Sequence, residues 1–560
     1  MISVVVPAHD AAPWIEQTLE SIQAQAVRAW EVIVVENGSG DRTAPIVSAL
    51  AAKDDRIRLV RSNATTAAAA RNEGIALATG EYLVFADSDD LVPDGAYSAM
   101  LASLEASGSD MVIGDHLKFS PTATWSPTKR WYPFDAARTG LAPDEVPELL
   151  SGRACWNRMF RRSFWDRAEL RFPEIPSVDD IEPMTRAFVA AETIDVVPDC
   201  VYLYRDRGDT SSLSLRDDAE TTVRYLEQEL RCAELVQDRA ALRRAHAEVV
   251  LDADGWAHLS RFLATAPDET ATGTVSAALD DLVAVIPLDG IDAVAPVRRA
   301  LWMLVLAGRW TEAAAFVQGS RSDDAAERLD AWIQAVLTAG ASQAHGADVA
   351  LLVEQGLVPA LINDADAVPE AWLAERVEAL ASLPFGARDP AEPGLRAAMV
   401  DALRRGDTKS VAEVSRLRRF VPLVVSRVEP TAEGLELSGT LTGDVDVPAV
   451  SIVLHAGGIQ STAPIRAGEA SRADGSRAWS ARISADGLDD GRYAVSVRGE
   501  RSSELLPVVT ARMPLPPLDA EFPLQPLADR KNGWRFLVDR RRPPRRGLAG
   551  VLGRVGRRLR

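Results

Sequence analysis

Three carboxylates close a short apolar run in Tyr82-Leu83-Val84-Phe85-Ala86-Asp87-Ser88-Asp89-Asp90. The run reads as a buried strand, and an open α/β sheet binds its ligands at the carboxyl ends of its strands. Asp87 and Asp89 flank a small residue, Ser88, and can converge on one hard divalent cation. Oxygen ligands of this kind suit Mg²⁺ or Mn²⁺, which bridge readily to a diphosphate. The competing reading is a solvated turn whose acids cap the next helix, and a lone Asp-x-Asp is a weak signal. A second acidic pair, Asp179-Asp180, precedes Ile181-Glu182-Pro183. Helix-start acids are favourable there, but adjacent like charges also raise the pKa of one partner, which suits a base acting near neutrality. His9 and His116 have no ligand partners at useful spacing, so neither is assigned a metal.

The elements that must position these acids are legible around them. Ile2-Ser3-Val4-Val5-Val6 is a first strand stopped by Pro7, and Trp14, Ile15, Leu19 and Ile22 then recur at helical spacing. Val32-Ile33-Val34-Val35 is a second buried strand, running into the polar turn Glu36 to Asp41. Ile57 to Val60 is a third strand, and Ala67 to Ala78 is an Ala-rich helix carrying Arg71-Asn72. Strand alternating with helix predicts a parallel sheet with right-handed crossovers.

Five short segments share an order and spacing. They are Pro7-Ala8-His9-Asp10, Val34 to Ser39, Ala70-Arg71-Asn72-Glu73-Gly74, Thr79-Gly80-Glu81-Tyr82 and Asp87-Ser88-Asp89-Asp90. Together they resemble the family 2 glycosyltransferases over about residues 1 to 215. The resemblance implies a GT-A fold (α/β, Rossmann-like, mostly parallel sheet), an inverting mechanism and a nucleotide-sugar donor. It places Asp89 and Asp87 on the metal, Mn²⁺ or Mg²⁺. Pro7, Ala8, Asp10, Glu36, Asn37, Arg71, Asp87 and Ser88 are placed on the donor. Many members carry Tyr and Asn where this chain has His9 and Asp10, and two acids where it has Glu36-Asn37. A UDP-sugar is the expected donor, without uridine being fixed by this pair.

Ala154-Cys155-Trp156-Asn157-Arg158 resembles the family segment in which a basic residue follows Trp-Asn, so Arg158 joins the donor set. The resemblance makes Asp180 the base that takes the acceptor proton, with Asp179 as supporting acid or rival. Tyr202-Leu203-Tyr204-Arg205-Asp206-Arg207 and the hydroxyl loop at Thr210-Ser211 resemble the terminal catalytic segment. Arg205 or Arg207 would neutralise the leaving diphosphate, and Ser211 would bond acceptor or phosphate. A surface ion pair among Arg205, Asp206 and Arg207 is the alternative.

The remaining chain divides by composition. Residues 217–418 read as an all-α linker or scaffold, with helical hairpins such as Ala300 to Val317 and no clean repeat. Residues 419–513 carry short alternating strands with Gly and Asp turns, the pattern of an antiparallel β-sandwich. Domains 1–216, 217–418 and 419–513 are thus expected, then a Pro-rich linker and basic tail over 514–560. The plan resembles wall-polymer glycosyltransferases, in which such a sandwich serves self-association; a homo-oligomer or a sugar-binding module follows as the expectation. About a dozen Lys and Arg lie between Arg530 and Arg560, against one acid, Asp539. Leu548, Leu552, Val555 and Leu559 share a helical face among arginines, as in a basic helix drawn to anionic lipid.

The whole chain has 560 residues and a net charge of −19. That charge, with no stacking platform, argues against nucleic acid as a partner. Cys155, Cys200 and Cys232 lack metal-ligand spacing, and so sparse a set favours a reducing compartment. Met1-Ile2-Ser3 runs straight into a strand without a basic leader, and no apolar stretch reaches the length of a membrane span. The expected place is the cytoplasm, peripheral to the inner membrane face, with a polymeric glycan or polyol-phosphate acceptor. A non-catalytic GT-A shell that binds nucleotide or glycan is the rival class. Nucleotidyl transfer is disfavoured because the first turn lacks a Gly-rich phosphate loop.

Overall fold

Aliphatic runs too short for helices become the buried strands β1 (Ile2–Ala8), β2 (Trp30–Glu36), β3 (Ile57–Arg61) and β4 (Tyr82–Phe85). The computed structural model describes residues 1–127, 129, 132, 134–208, 216–342, 348–385, 394–418, 423–431, 434–441, 450–456, 459–470, 477–484, 486–501, 506–510, 524–529 and 533–538. Contacts divide it into a first unit, Met1–Ala314, and a second, Ala315–Arg560.

In the first unit β1 to β4 are parallel, in the order β3-β2-β1-β4. The chain places β2 on one side of β1 and β4 on the other. Crossovers therefore diverge at β1, and a crevice opens at the carboxyl ends of β1 and β4. Helices α1 (Ile15–Gln23), α2 (Thr43–Ala51), α3 (Ala67–Leu77) and α4 (Ala96–Ser107) connect and cover these strands. The sheet continues through β5 (Met111–Phe119), β6 (Thr124–Trp125), β7 (Arg138–Leu141), β8 (Arg158–Arg161) and β9 (Ile194–Arg205). β8 runs antiparallel between β4 and β5, while β5 and β9 are parallel. The result is a mixed sheet of GT-A type with its parallel half first. Helix α5 (Arg162–Arg167) follows β8, and α6 (Ile181–Ala190) precedes β9.

Aromatic packing anchors the strand that carries the acidic motif. The Phe85 ring lies 5.3 Å from Trp165 and 5.2 Å from Phe172, all three fully or nearly buried. Such pairs contribute roughly 0.5–1.5 kcal/mol each beyond their area.

Five helices complete the first unit: α7 (Ala219–Val236), α8 (Ala240–Asp252), α9 (Asp254–Ala264), α10 (Glu269–Val283) and α11 (Pro296–Leu306). Helices α7 to α11, beyond the composition change at 216, fall in the same compact unit as the sheet. A buried ion network is the physical reason. Arg153, in the loop before β8, reaches both Glu229 oxygens at 2.6 Å and Asp254 at 2.7 Å, and His246 meets Glu229 at 2.8 Å. Burial pushes the Glu229 carboxyl up, but Arg153 and His246 outweigh it and hold the group well below the usual carboxylate range. Composition changes at 216; packing does not.

The division falls within α12 (Trp310–Gly319). The second unit begins with α13 (Ala325–Ser342), α14 (Val349–Leu352), α15 (Val358–Asp364), α16 (Glu370–Leu380), α17 (Leu395–Arg404) and α18 (Thr408–Leu417). Two sheets follow, of seven and four described strands, almost wholly antiparallel. Trp479 and Leu437 of one sheet and Ile452, Tyr493 and Val497 of the other share a single core, as a sandwich requires. The expected end of the sandwich at 513 is corrected. Strands Leu524–Asp529 and Gly533–Val538 pair with each other, and the latter pairs with Gly491–Gly499, burying Phe536 and Val538. The Pro-rich stretch masked this alternating pattern in the sequence. The amphipathic stretch at 548–559 lies outside the described residues. Among the described residues no helix is long and apolar enough to cross a membrane.

Glu229→Gln removes one partner of a buried pair and strands Arg153, which should cost about 3–5 kcal/mol. Its depressed pKa makes the wild-type stabilisation complete above the unfolded value of 4.5 and lost as pH falls below it. Urea titrations at pH 7 and pH 4 should therefore show the wild-type and variant midpoints drawing together at the lower pH.

Candidate active site

The acidic motif leaves β4 as a tight loop strapped to β9. Leu91 and Leu203 exchange backbone hydrogen bonds at 3.1 and 2.9 Å, and the Asp87 amide donates to the Tyr202 hydroxyl at 2.9 Å. Thr18, on α1, donates to the carbonyls of Ser88 and Asp90 at 3.1 and 2.8 Å. Buried Asp90 accepts the Arg205 amide at 2.7 Å, and burial followed by the charges of Asp89 and Asp87 pushes its carboxyl well up. These contacts fix where Asp87 and Asp89 point. Tyr202 is itself stacked on Trp156, with centroids 4.3 Å apart. Sequence reading did not give Tyr202, Thr18 and Asp90 this supporting work; their positions opposite the loop arise only from the β4–β9 arrangement.

Arg71 ties the two acidic clusters together. It lies on α3, 7% exposed, and its two terminal nitrogens each donate at 2.7 Å, one to Asp87 and one to Asp179. The close seat of α3 on the sheet makes this reach possible. A Cβ on Gly74 would come within 2.5 Å of Val5 and 3.2 Å of Val35. Neighbouring Asn72 pairs with both backbone groups of Phe172, at 2.8 and 3.0 Å, holding the segment that leads to the acid pair. Val178 enters that pair with φ +55°, a conformation costly for a β-branched residue.

Asp180 occupies the N-cap position of α6, yet its side chain makes no capping hydrogen bond. Burial first, then the Asp179 charge, push its carboxyl up to about 7, with Arg71 opposing. Asp179 is raised as well, by burial against the pull of Arg71. The helix-start reading thus accounts for the backbone position of Asp180 and leaves its carboxylate unspent.

The other residues expected at the site fall into three groups. Arg205 and Arg207 both reach Asp89: Arg205 Nε donates to its carbonyl at 2.6 Å, and Arg207 Nε to its Oδ2 at 2.7 Å. Pro7 and Ala8 line the end of β1, and Asp10 (φ +48°) accepts the Gly40 amide at 2.7 Å, lacing the β1 and β2 turns together. His9 joins the same lacing by a 3.0 Å contact with the Asn37 carbonyl. Glu36 and Arg158, expected on the donor, both make local contacts. Buried Glu36 accepts the Ser39 amide at 2.5 Å and faces Arg61 at 3.8 Å, so its carboxylate stabilises its own turn. Arg158 is 2% exposed and donates to Asn157 Oδ1 and to the carbonyls of Gly152 and Ala154. Burial lowers its pKa to about 10. Its contacts hold the loop before β8. Ser211 lies outside the described residues.

A divalent cation fits the acids of the β4 loop. Both side chains are hard oxygen donors, and burial together with the Asp87 charge raises the Asp89 carboxyl, a repulsion that a cation would relieve. Among the described residues Glu229, Cys232 and His246 also cluster within ligand distance. There Arg153 occupies both Glu229 oxygens and His246 meets one of them, so the cluster is an ion network whose charge is already met.

Residues 3–167 match the family model described as glycosyl transferase family 2. Curated relatives include an uncharacterized glycosyltransferase EpsJ of Bacillus subtilis, 28% identical over 214 residues, covering 37% of this chain and 61% of that protein. Glycosyltransferase GlyG of Streptococcus pneumoniae is 28% identical over 222 residues, covering 37% and 71%. The chain thus spans about three fifths to seven tenths of the length of these relatives. A solved structure of S. aureus TarS 1-349 in complex with UDP-GlcNAc is 18% identical, with TM-score 0.47, covering 57% of this chain and 90% of that one.

Gly74→Ala should lift α3 from the sheet, at the roughly 1–3 kcal/mol typical of overpacking, and weaken the Arg71 bridge. A fall in melting temperature together with loss of nucleotide binding in a thermal-shift titration is the expected pair of results.

Proposed function

From an N-terminal domain of glycosyl transferase family 2, spanning residues 3–167, we propose that this protein transfers a sugar, with inversion, from a nucleotide-diphosphate donor to a hydroxyl of a cell-surface polymer. The donor is a UDP-sugar, and the acceptor a polymeric glycan or polyol-phosphate. The observation that carries this reading is the Arg71 bridge, which sets the acid of the β4 loop and the acid pair before α6 one guanidinium apart. One bound donor can therefore touch both.

Asp89 and Asp87 are the residues that would hold Mn²⁺ or Mg²⁺, whose charge would offset that of the diphosphate. Asp180 accepts the proton of the acceptor hydroxyl as its oxygen bonds to the anomeric carbon. The bond from that carbon to the diphosphate oxygen breaks, and the electron pair leaves with the nucleoside diphosphate. Approach opposite the leaving group inverts the centre. Asp179, held by Arg71, raises the proton affinity of Asp180 and keeps it a usable base near neutrality. Arg205 and Arg207, already beside Asp89, face the departing charge. Pro7, Ala8 and Asp10 at the end of β1, with Glu36 and Asn37 at the end of β2, form the wall near the nucleoside. Work at the inner membrane face, through the basic stretch beyond residue 530, belongs to this proposal, as does self-association through the sandwich.

Two measurements test it. A base with a pKa near 7 must be ionised to act, so kcat should rise with pH through about 7 and level off above. Asp180→Asn should lower kcat by about 10²–10⁴-fold, the range of general-base catalysis, while donor binding persists. Asp89→Ala should instead abolish Mn²⁺-dependent tightening of UDP in calorimetry, along with donor hydrolysis. Binding of UDP with no hydrolysis or transfer across a donor panel would favour a shell that binds without catalysing.

A further inference from the structure

The arginine at 207 occupies the seat that a cation needs. Its Nε and Nη2 converge on one oxygen, Asp89 Oδ2, at 2.7 and 2.5 Å. Its guanidinium carbon lies 4.5 Å from the Trp14 ring centroid, which gives the group a shelf at the mouth of the crevice. The side chain of Asp89 is 14% exposed and that of Arg207 24%. Arg205 is placed otherwise. Its Nε is bound to the Asp89 carbonyl at 2.6 Å, its Nη2 reaches Gln17 at 3.1 Å, and it stacks on Phe119 at 4.8 Å. Arg205 fixes the loop; Arg207 covers the carboxylate.

Charge balance gives this arrangement a consequence. Arg71 offsets Asp87 and Asp179, and Arg207 offsets Asp89. A divalent cation arriving alone must displace Arg207 from the oxygen it needs, and adds positive charge beside a freed guanidinium. A diphosphate changes both terms. It supplies negative charge to the cation, and it offers the planar Arg207 guanidinium two phosphate oxygens in exchange for the carboxylate it gives up.

We propose that Arg207 is an internal counter-ion that closes the cation seat at Asp89 until a nucleoside diphosphate arrives, so that cation and donor load as a coupled pair. This rests on the metal-dependent donor reading above and extends it to how the site fills. On release of the diphosphate product, Arg207 returns to Asp89 and the cation loses both its ligands' charge and its place.

The test is Mn²⁺ uptake followed by electron paramagnetic resonance on the full chain, with and without UDP, in wild type, Arg207→Gln, Arg207→Lys and Arg205→Gln. For the wild type, UDP should tighten Mn²⁺ by about tenfold or more, within the usual span of binding couplings. Arg207→Gln should take up Mn²⁺ alone about tenfold more tightly than wild type and lose most of the response to UDP. Arg207→Lys, which keeps the charge without the planar fork, should fall between and serves if the Gln variant folds poorly. Arg205→Gln removes the same charge but frees the Asp89 carbonyl rather than its carboxylate, so it should bring no tightening of Mn²⁺ alone. Equal Mn²⁺ affinity in wild type and both Arg207 variants, with the UDP effect intact, would overturn the counter-ion role and leave the metal site standing. An equal gain in Arg205→Gln would overturn it as well, reducing the effect to net charge. Absence of Mn²⁺ uptake in all proteins even with UDP would remove the metal reading and this proposal together.

Discussion

One buried guanidinium organises the first unit. Arg71 faces an acid from the β4 loop and an acid from the segment before α6, donating to each at 2.7 Å. Its reach depends on α3 lying against β1 and β2 with only a glycine at the closest approach. Its directionality depends on Asn72, one residue on, pinning the Phe172 backbone. The same ion that holds two parts of the chain together opposes the upward push that burial exerts on both carboxyls of the Asp179-Asp180 pair. Structure and proton affinity are set by a single contact.

Support from behind comes from helices that composition would assign elsewhere. Arg153 ties the loop before β8 to α7 and α9, and Cys232 of α7 lies 3.3 Å from Thr185 of α6. Both ends of the acid-bearing region are thereby backed by the same helical layer. Buried pairs of this kind add little net stability over an apolar core, but they penalise any other register heavily. The helical layer is thus part of the scaffold that places the acids, whatever else it does.

Much of this was legible in the residues, and the gaps have physical causes. Apolar runs of four to seven residues ending in acids announced strands and a crevice, because strand ends and charge are local properties. Asp87, Asp89, Asp179, Asp180, Arg71, Arg205 and Arg207 were singled out by order and spacing, and contacts through Arg71 and Asp89 bring them near one another. The local partners of Glu36 and Arg158 could not be read from the sequence, because a side chain's partner is decided by packing. A carboxylate beside a free turn amide takes it, and a buried arginine takes the carbonyls of its own loop. Tyr202, Thr18 and Asp90 act through contacts 70 to 115 residues apart in the chain, which no local pattern encodes. The last two strands of the sandwich were hidden by prolines, which edge strands tolerate and sequence patterns punish.

The measurement that bears most directly on the central claim is crystallographic: anomalous difference density at the manganese edge from crystals grown with UDP and Mn²⁺. The account predicts a single peak at the β4 loop, bound by Asp89 or by Asp87 and Asp89 and in contact with the diphosphate, with Arg71 still bridging to Asp179 and Arg207 turned onto phosphate. Nucleotide bound away from these carboxylates, with Asp87 and Asp89 facing bulk solvent, would contradict it.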